Sequence, residues 1–194
     1  MKHFFSIILM LLSFLLLGQK KYSTAEILKT FPLGKATKVK IISYNTDFRG
    51  EFALTPPPPN IKLDSIQLKD YYDNLKKPIK LTETISKGNF KEIKESKTLN
   101  IPETLQLSKV LFNTCGKFSG NNREVSMCFF PRNAILFYDE NDNVFDFLEI
   151  CFECHRMESL SENATEINGM CSSFYTKLEK YFKDKGLQTQ FNQR

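Results

Sequence analysis

The sequence predicts an α+β fold: a mainly antiparallel sheet with a central hairpin over about 134–152, and flanking helices at about 102–114 and 170–185. Three observations carry this. Ala134-Ile135-Leu136-Phe137-Tyr138 and the run from Val144 to Phe152 are apolar and β-prone, and only Asp139-Glu140-Asn141-Asp142-Asn143 separates them. Two such runs around a short polar turn make a hairpin, and large apolar residues on both faces place its strands inside a sheet covered on each side. Upstream, Pro102-Glu103 sets a proline and an acid in the first turn of a helix, with Leu105, Leu107, Val110, Leu111 and Phe112 as its apolar stripe. Downstream, Phe174, Tyr175, Leu178, Tyr181 and Phe182 recur at helical spacing and Lys185-Gly186 supplies a stop.

At the N-terminus, Lys2 and His3 precede an apolar run from Phe4 to Leu17 that ends at Gly18-Gln19-Lys20-Lys21. A basic start, an apolar core of about fourteen residues and a small residue after it are the parts of a secretory signal peptide. The core falls short of the ~20 residues that span a bilayer as a helix. Cleavage after Gly18 leaves about 176 residues, the size of one exported domain, residues 19–194, with no membrane span of its own. Its core rests on aliphatic residues and Phe, since the chain holds 18 Phe and 7 Tyr but no Trp.

Elements of the first half follow from local pattern. Lys38 to Tyr44 alternates and carries β-branched residues, which predicts a strand. Pro56 to Pro59 cannot enter a sheet interior and forms a Pro-rich loop. Ile79 to Thr82 and Phe90 to Ile93 read as two short strands joined by a hairpin turn at Ser86-Lys87-Gly88-Asn89. Past the first helix, Lys117 to Glu124 is a Gly- and Asn-rich loop.

Charge excludes little by amount and more by arrangement. The net charge of +5 includes Lys2, and the remaining lysines are scattered, with Lys76-Lys77 and Lys177, Lys180, Lys183 and Lys185 reading as solvated faces. Nucleic-acid binding wants clustered cations with interleaved exposed aromatics, so both charge pattern and export argue against it. Asp139, Asn141 and Asn143 imitate the first, third and fifth positions of a calcium loop, but Val144 replaces the glycine of the sixth and Ile150 the glutamate of the twelfth. A hairpin turn rich in Asp and Asn is the simpler account. Hydrolytic chemistry has no anchor: one His remains after signal cleavage and no serine elbow is present. Asn163-Ala164-Thr165 is a glycosylation sequon, relevant only in a eukaryotic source.

The five cysteines carry the remaining chemistry. Cys115, Cys128, Cys151, Cys154 and Cys171 lie in a chain read as exported, where disulfides form, and five is odd. Cys151 and Cys154 would point to opposite faces of an extended strand, so a bridge between them needs a turn at Phe152-Glu153, while a bridge from Cys128 to Cys151 or Cys154 also fits the hairpin. Cys151-Phe152-Glu153-Cys154-His155 matches the attachment spacing of covalent haem c, with His155 as iron ligand. A thiol oxidoreductase would use the same pair, although its CxxC opens a helix and none starts here. Cys128, Cys151 and Cys154 with either Cys171 or His155 give four ligands that would suit structural zinc. No cofactor is expected, with haem c and zinc kept as alternatives. Arg132, Glu149 and Glu153 form a candidate polar cluster at the hairpin's end that fixes geometry rather than performing catalysis.

Cys128-Phe129-Phe130-Pro131-Arg132-Asn133-Ala134-Ile135, the acidic-turn hairpin and Glu149-Ile150-Cys151-Phe152-Glu153-Cys154 together resemble a family of uncharacterised exported proteins of Bacteroidetes-type bacteria, over roughly residues 102–185. The resemblance implies the strand-turn-strand unit and the helix before it, without activity or catalytic residues, and makes His155 incidental. The functional expectation is a non-enzymatic periplasmic or secreted protein that binds a protein or surface partner through the end carrying Pro131-Arg132-Asn133 and Cys151 to His155. The alternative is a periplasmic redox protein that uses Cys151-x-x-Cys154-His155.

Overall fold

A computed structural model describes residues 21–48, 57–74, 77–116, 128–161, 171 and 173–191. The segment read as a signal peptide, the sequon and Lys117 to Glu124 lie outside them. The chain enters through a short helix α1, Thr24–Ile27, whose Ser23 and Glu26 cap one another's backbone N–H groups. Strand β1 follows at Lys38–Ser43, close to the predicted span. Tyr44 continues its line, donating its N–H to the Arg132 carbonyl at 2.8 Å.

Pro57 to Pro59 stand outside every strand, as their missing N–H requires. Helix α2, Ser65–Asn74, starts at Asp64, whose carboxylate accepts from the N–H groups of Ile66 and Gln67. None of its side chains from Ser65 to Tyr72 is buried.

The stretch expected as a hairpin around Ser86 to Asn89 is instead a helix, α3, Leu81–Ser86. Leu81 and Ile85, four residues apart, face the sheet together, and Gly88 at φ +61° ends the helix rather than turning a hairpin. Phe90 to Ile93 is not a strand either. The strand lies just beyond, as β2, Glu95–Thr98, a polar segment that pairs with Lys40 to Ser43.

Helix α4, Ile101–Asn113, is the predicted one, closed at its start by a reciprocal cap between Asn100 and Glu103. The central hairpin comprises β3, Asn133–Tyr138, and β4, Val144–Cys151. Its turn is built on the Asp139 carboxylate, which accepts from the N–H groups of Asn141 and Asn143 at 2.9 Å each. Those bonds hold its pKa below the usual carboxylate range. A short strand β5, Arg156–Ser159, and helix α5, Ser173–Asp184, complete the fold, and Gly186 at φ +81° terminates α5.

All strands are antiparallel in the order β2-β1-β3-β4-β5. All six residues of β3, the middle strand, are buried, as two-sided apolar patterning demands. On one face Val39, Ile41, Ile135, Phe137, Leu148 and Ile150 pack under α4 and α5, which contribute Leu107, Leu111, Phe112, Phe174, Leu178 and Phe182. On the other face Ile42, Tyr44, Ala134, Leu136 and Phe147 meet Leu81, with Ile79, Ile85 and Phe90 at the margin. Each fully buried large side chain stabilises the fold by about 1.5–3 kcal/mol, and the two faces together fix strand register. The protein is thus an α+β fold with helices flanking an antiparallel sheet. No helix among the described residues is long and apolar enough to cross a membrane.

Candidate functional site

The end of the sheet where β3 begins and β4 turns into β5 gathers most of the residues singled out from sequence. Cys151 pairs in register with Arg156, so Phe152 to His155 form a four-residue turn. The turn brings Cys151 and Cys154 to disulfide spacing, with Cα atoms 5.2 Å apart. This is the bend at Phe152-Glu153 that the pairing needs. His155 takes a left-handed conformation at φ +48°, and its N–H meets the Phe152 carbonyl at 3.4 Å. Its exposed ring lies 5.3 Å from that of Tyr175, nearly parallel at 10°.

The second cysteine pair joins Cys115, just beyond α4, to Cys171, just before α5, with Cα atoms 5.5 Å apart. Cys128 belongs to neither pair and is exposed, so the bridge from Cys128 to Cys151 or Cys154 does not form. Phe129 beside it lies against Arg156, the guanidinium carbon 5.1 Å from the ring centroid.

The four cysteines of the zinc alternative do not converge, because Cys171 is held at Cys115 while Cys151 and Cys154 hold each other. Among the described residues no three His, Cys, Asp or Glu side chains come together as a metal site. For haem c, the two sulfurs that would carry the thioethers are bonded to each other in this form, and Cys151 and Cys154 are only 1% and 4% exposed. The His155 ring faces Tyr175.

Arg132 and Glu153 are brought together as predicted, at 2.8 Å. The Arg132 side chain is buried against the Phe130 ring, and it also donates through Nη2 to the Phe48 carbonyl at 2.8 Å. Burial pulls its pKa down and the Glu153 carboxylate opposes that pull. Glu153 accepts in addition from the Phe191 N–H, and so ties the C-terminal segment to the turn. The third member of the predicted cluster, Glu149, turns elsewhere: its carboxylate accepts from the Tyr44 hydroxyl at 2.6 Å across the sheet. Burial raises both pKa values, that of Tyr44 well above its ordinary one. Asn133, fully buried, donates through Nδ2 to Ser43 Oγ and to the Gln188 carbonyl at 2.9 Å each.

Sequence reasoning did not find the groove beside this end. Tyr44 to Phe48, the loop at Pro78 and Ile79, and α3 enclose a half-open cavity of about 760 Å³. Asn45, in a left-handed conformation at φ +56°, fixes its wall by a two-point amide contact: Oδ1 accepts from the Ile79 N–H at 2.7 Å and Nδ2 donates to the Ile79 carbonyl at 2.9 Å. Asn tolerates that conformation, but nothing local announces a partner 34 residues away.

Comparison with protein-family models, curated proteins and solved structures yields no match.

Proposed function

We propose that this is an exported, non-enzymatic binding protein with a cysteine-stabilised core, related to the exported family it resembles. Its recognition surface is the sheet end that carries Pro131-Arg132-Asn133 and the Cys151 to His155 turn. One observation carries the proposal: the reactive-looking groups at this end are engaged in holding backbone and each other. Arg132 binds Glu153 and the Phe48 carbonyl, Asn133 ties β3 to Ser43 and Gln188, and Cys151 and Cys154 pair in a tight turn. A thiol enzyme needs an accessible thiolate with a lowered pKa, whereas this pair is buried and opens no helix. Rigid turns with exposed side chains such as His155 suit recognition, because little ordering entropy is lost on contact. Export is supported by the signal-like N-terminus and by two pairs at disulfide spacing.

The test is an intact mass and visible spectrum of protein purified without reductant from the periplasm of a host competent in haem maturation, with photo-crosslinking on envelopes of the source cells. The expected protein is colourless and lighter than the reduced mature chain by two paired hydrogens per bridge, with Cys115, Cys151, Cys154 and Cys171 inert to alkylation. A photoreactive residue at position 155 is expected to give a discrete adduct that the same probe at Ile66 on α2 does not. A haem adduct with a Soret band, or rapid alkylation of Cys151 after mild reduction, establishes the redox alternative instead.

A further inference from the structure

The groove between Tyr44 to Phe48 and α3 has the size of a small-molecule site, since such sites span roughly 300–1,000 Å³ and this one is about 760 Å³. Its wall is pre-formed. The Asn45 amide holds the Ile79 backbone, and the Phe48 carbonyl is held from behind by Arg132. A ligand entering it therefore meets fixed backbone.

Charge around the groove is uneven. Lys77, Lys80, Lys87, Lys91 and Lys94 line it, against the carboxylates of Asp47, Glu83 and Glu92. Glu83 lies 3.6 Å from both Lys80 and Lys87, so one carboxylate is shared between two ammoniums, and Asp47 engages Lys94. Among the described residues, Lys77 and Lys91 have no carboxylate within ion-pair distance, although both are exposed at the groove. Glu92 is not ion-paired among the described residues either, so the five lysines outnumber the three carboxylates by two, and that excess in one concavity focuses positive potential into it.

Among the described residues, the lining contains no arginine. A planar carboxylate is best matched by the guanidinium fork, while lysine acts as a point charge that suits the tetrahedral oxygens of a phosphoryl group. The volume exceeds what inorganic phosphate fills, leaving room for an organic body beside Phe48 and Ile79. We infer that this groove is a binding site for a small organic molecule with at least two phosphoryl groups, held by Lys77 and Lys91 with the Lys80–Glu83–Lys87 cluster at its rim. The inference rests on the reading of the chain as a binding protein and gives it a ligand class.

The experiment is a titration of the isotope-labelled mature protein with fructose 1,6-bisphosphate as probe, followed by amide NMR, with citrate and fructose as controls. Saturable shifts at Asn45, Thr46 and Ile79 are expected, weakened about tenfold or more in Lys77→Glu/Lys91→Glu, absent with fructose and smaller with citrate. Both lysines are exposed, so the variant should keep a native spectrum, and Lys77→Gln/Lys91→Gln serves if it does not. Non-saturating shifts spread over all surface lysines, or affinity unchanged in both variants, overturn the site. Equal binding of citrate overturns the phosphoryl assignment. Mass, colour and crosslinking report on the binding-protein reading independently, so the two can fail separately.

Discussion

The Tyr44 hydroxyl donates to the Glu149 carboxylate at 2.6 Å, joining the residue just past β1 to the second half of β4 over the strand between them. Glu149 stands opposite Glu158 in the β4–β5 register, and that like charge adds to burial in raising its pKa. A carboxyl whose folded pKa lies above its unfolded one contributes most below the unfolded value, and the contribution is lost as pH rises through the folded value.

Glu149→Gln is therefore expected to raise stability at pH 7. Gln keeps an acceptor for Tyr44 while removing a buried charge and its repulsion from Glu158. Thermal midpoints measured from pH 4 to pH 8 should show the variant above the parent at neutral pH, with the difference closing near pH 4. A variant less stable than the parent at pH 7 would mean that the ionised pair is net favourable.

Glu103 has the opposite sign. Its carboxylate accepts from the Asn100 N–H and meets Lys97 and Lys185 at 3.0 and 3.1 Å, and these contacts, the backbone bond foremost, lower its pKa from 4.5 to about 2. Its stabilisation is present above about pH 4.5 and lost as pH falls toward 2. Glu103→Gln should lower the urea midpoint at pH 7 and flatten its pH dependence between those values, so that the two proteins converge near pH 2. An unchanged acid limb would place the linkage elsewhere.

The two disulfides should differ in energetic weight. Cys115–Cys171 spans 56 positions and Cys151–Cys154 spans three. On the chain-entropy account, closing such loops stabilises by about 4 and about 2 kcal/mol respectively. Urea unfolding of C115A/C171A and C151A/C154A checks this, and equal losses would point to native-state packing in place of loop entropy. Crosslinking from position 155 should fall in C151A/C154A before global stability does, because that bridge closes the turn.

The parts of the fold visible in sequence were those whose signal is local. The 134–152 hairpin carried its own turn, and α4 and α5 carried stripes with a proline start and a glycine stop. α3 was misread because its six residues are too few to show a period: Leu81 and Ile85 make a single contact pair, and Gly88 followed by Asn89 imitates a hairpin turn. β2 was missed because Glu95-Ser96-Lys97-Thr98 has no apolar residue, and its strand state comes from the ladder offered by β1. At the site, Arg132–Glu153 spans 21 positions at adjoining ends of neighbouring strands and could be inferred, whereas Tyr44–Glu149 spans 105 and depends on β1 pairing with β3. The groove rests on the same non-local pairing.

Arg132 and Glu153 form one ion pair, but substitutions at the two positions should cost unequally. The arginine side chain is 3% exposed and serves two acceptors in different segments among the described residues, Glu153 and the Phe48 carbonyl, while the glutamate is 42% exposed. Glu153→Gln keeps an acceptor in a largely solvated position and is expected to cost under about 1 kcal/mol. Arg132→Lys keeps the charge but loses the planar fork, and leaves either the carbonyl or the carboxylate without its donor; a buried bond lost in this way costs about 1–3 kcal/mol. Urea unfolding of both variants tests the asymmetry. Because Phe48 lines the groove, Arg132→Lys should also shift the Asn45 and Thr46 amides in the absence of ligand, which Glu153→Gln should not. Equal losses for the two would instead locate the energy in the ion pair and leave the Phe48 contact with no measurable role.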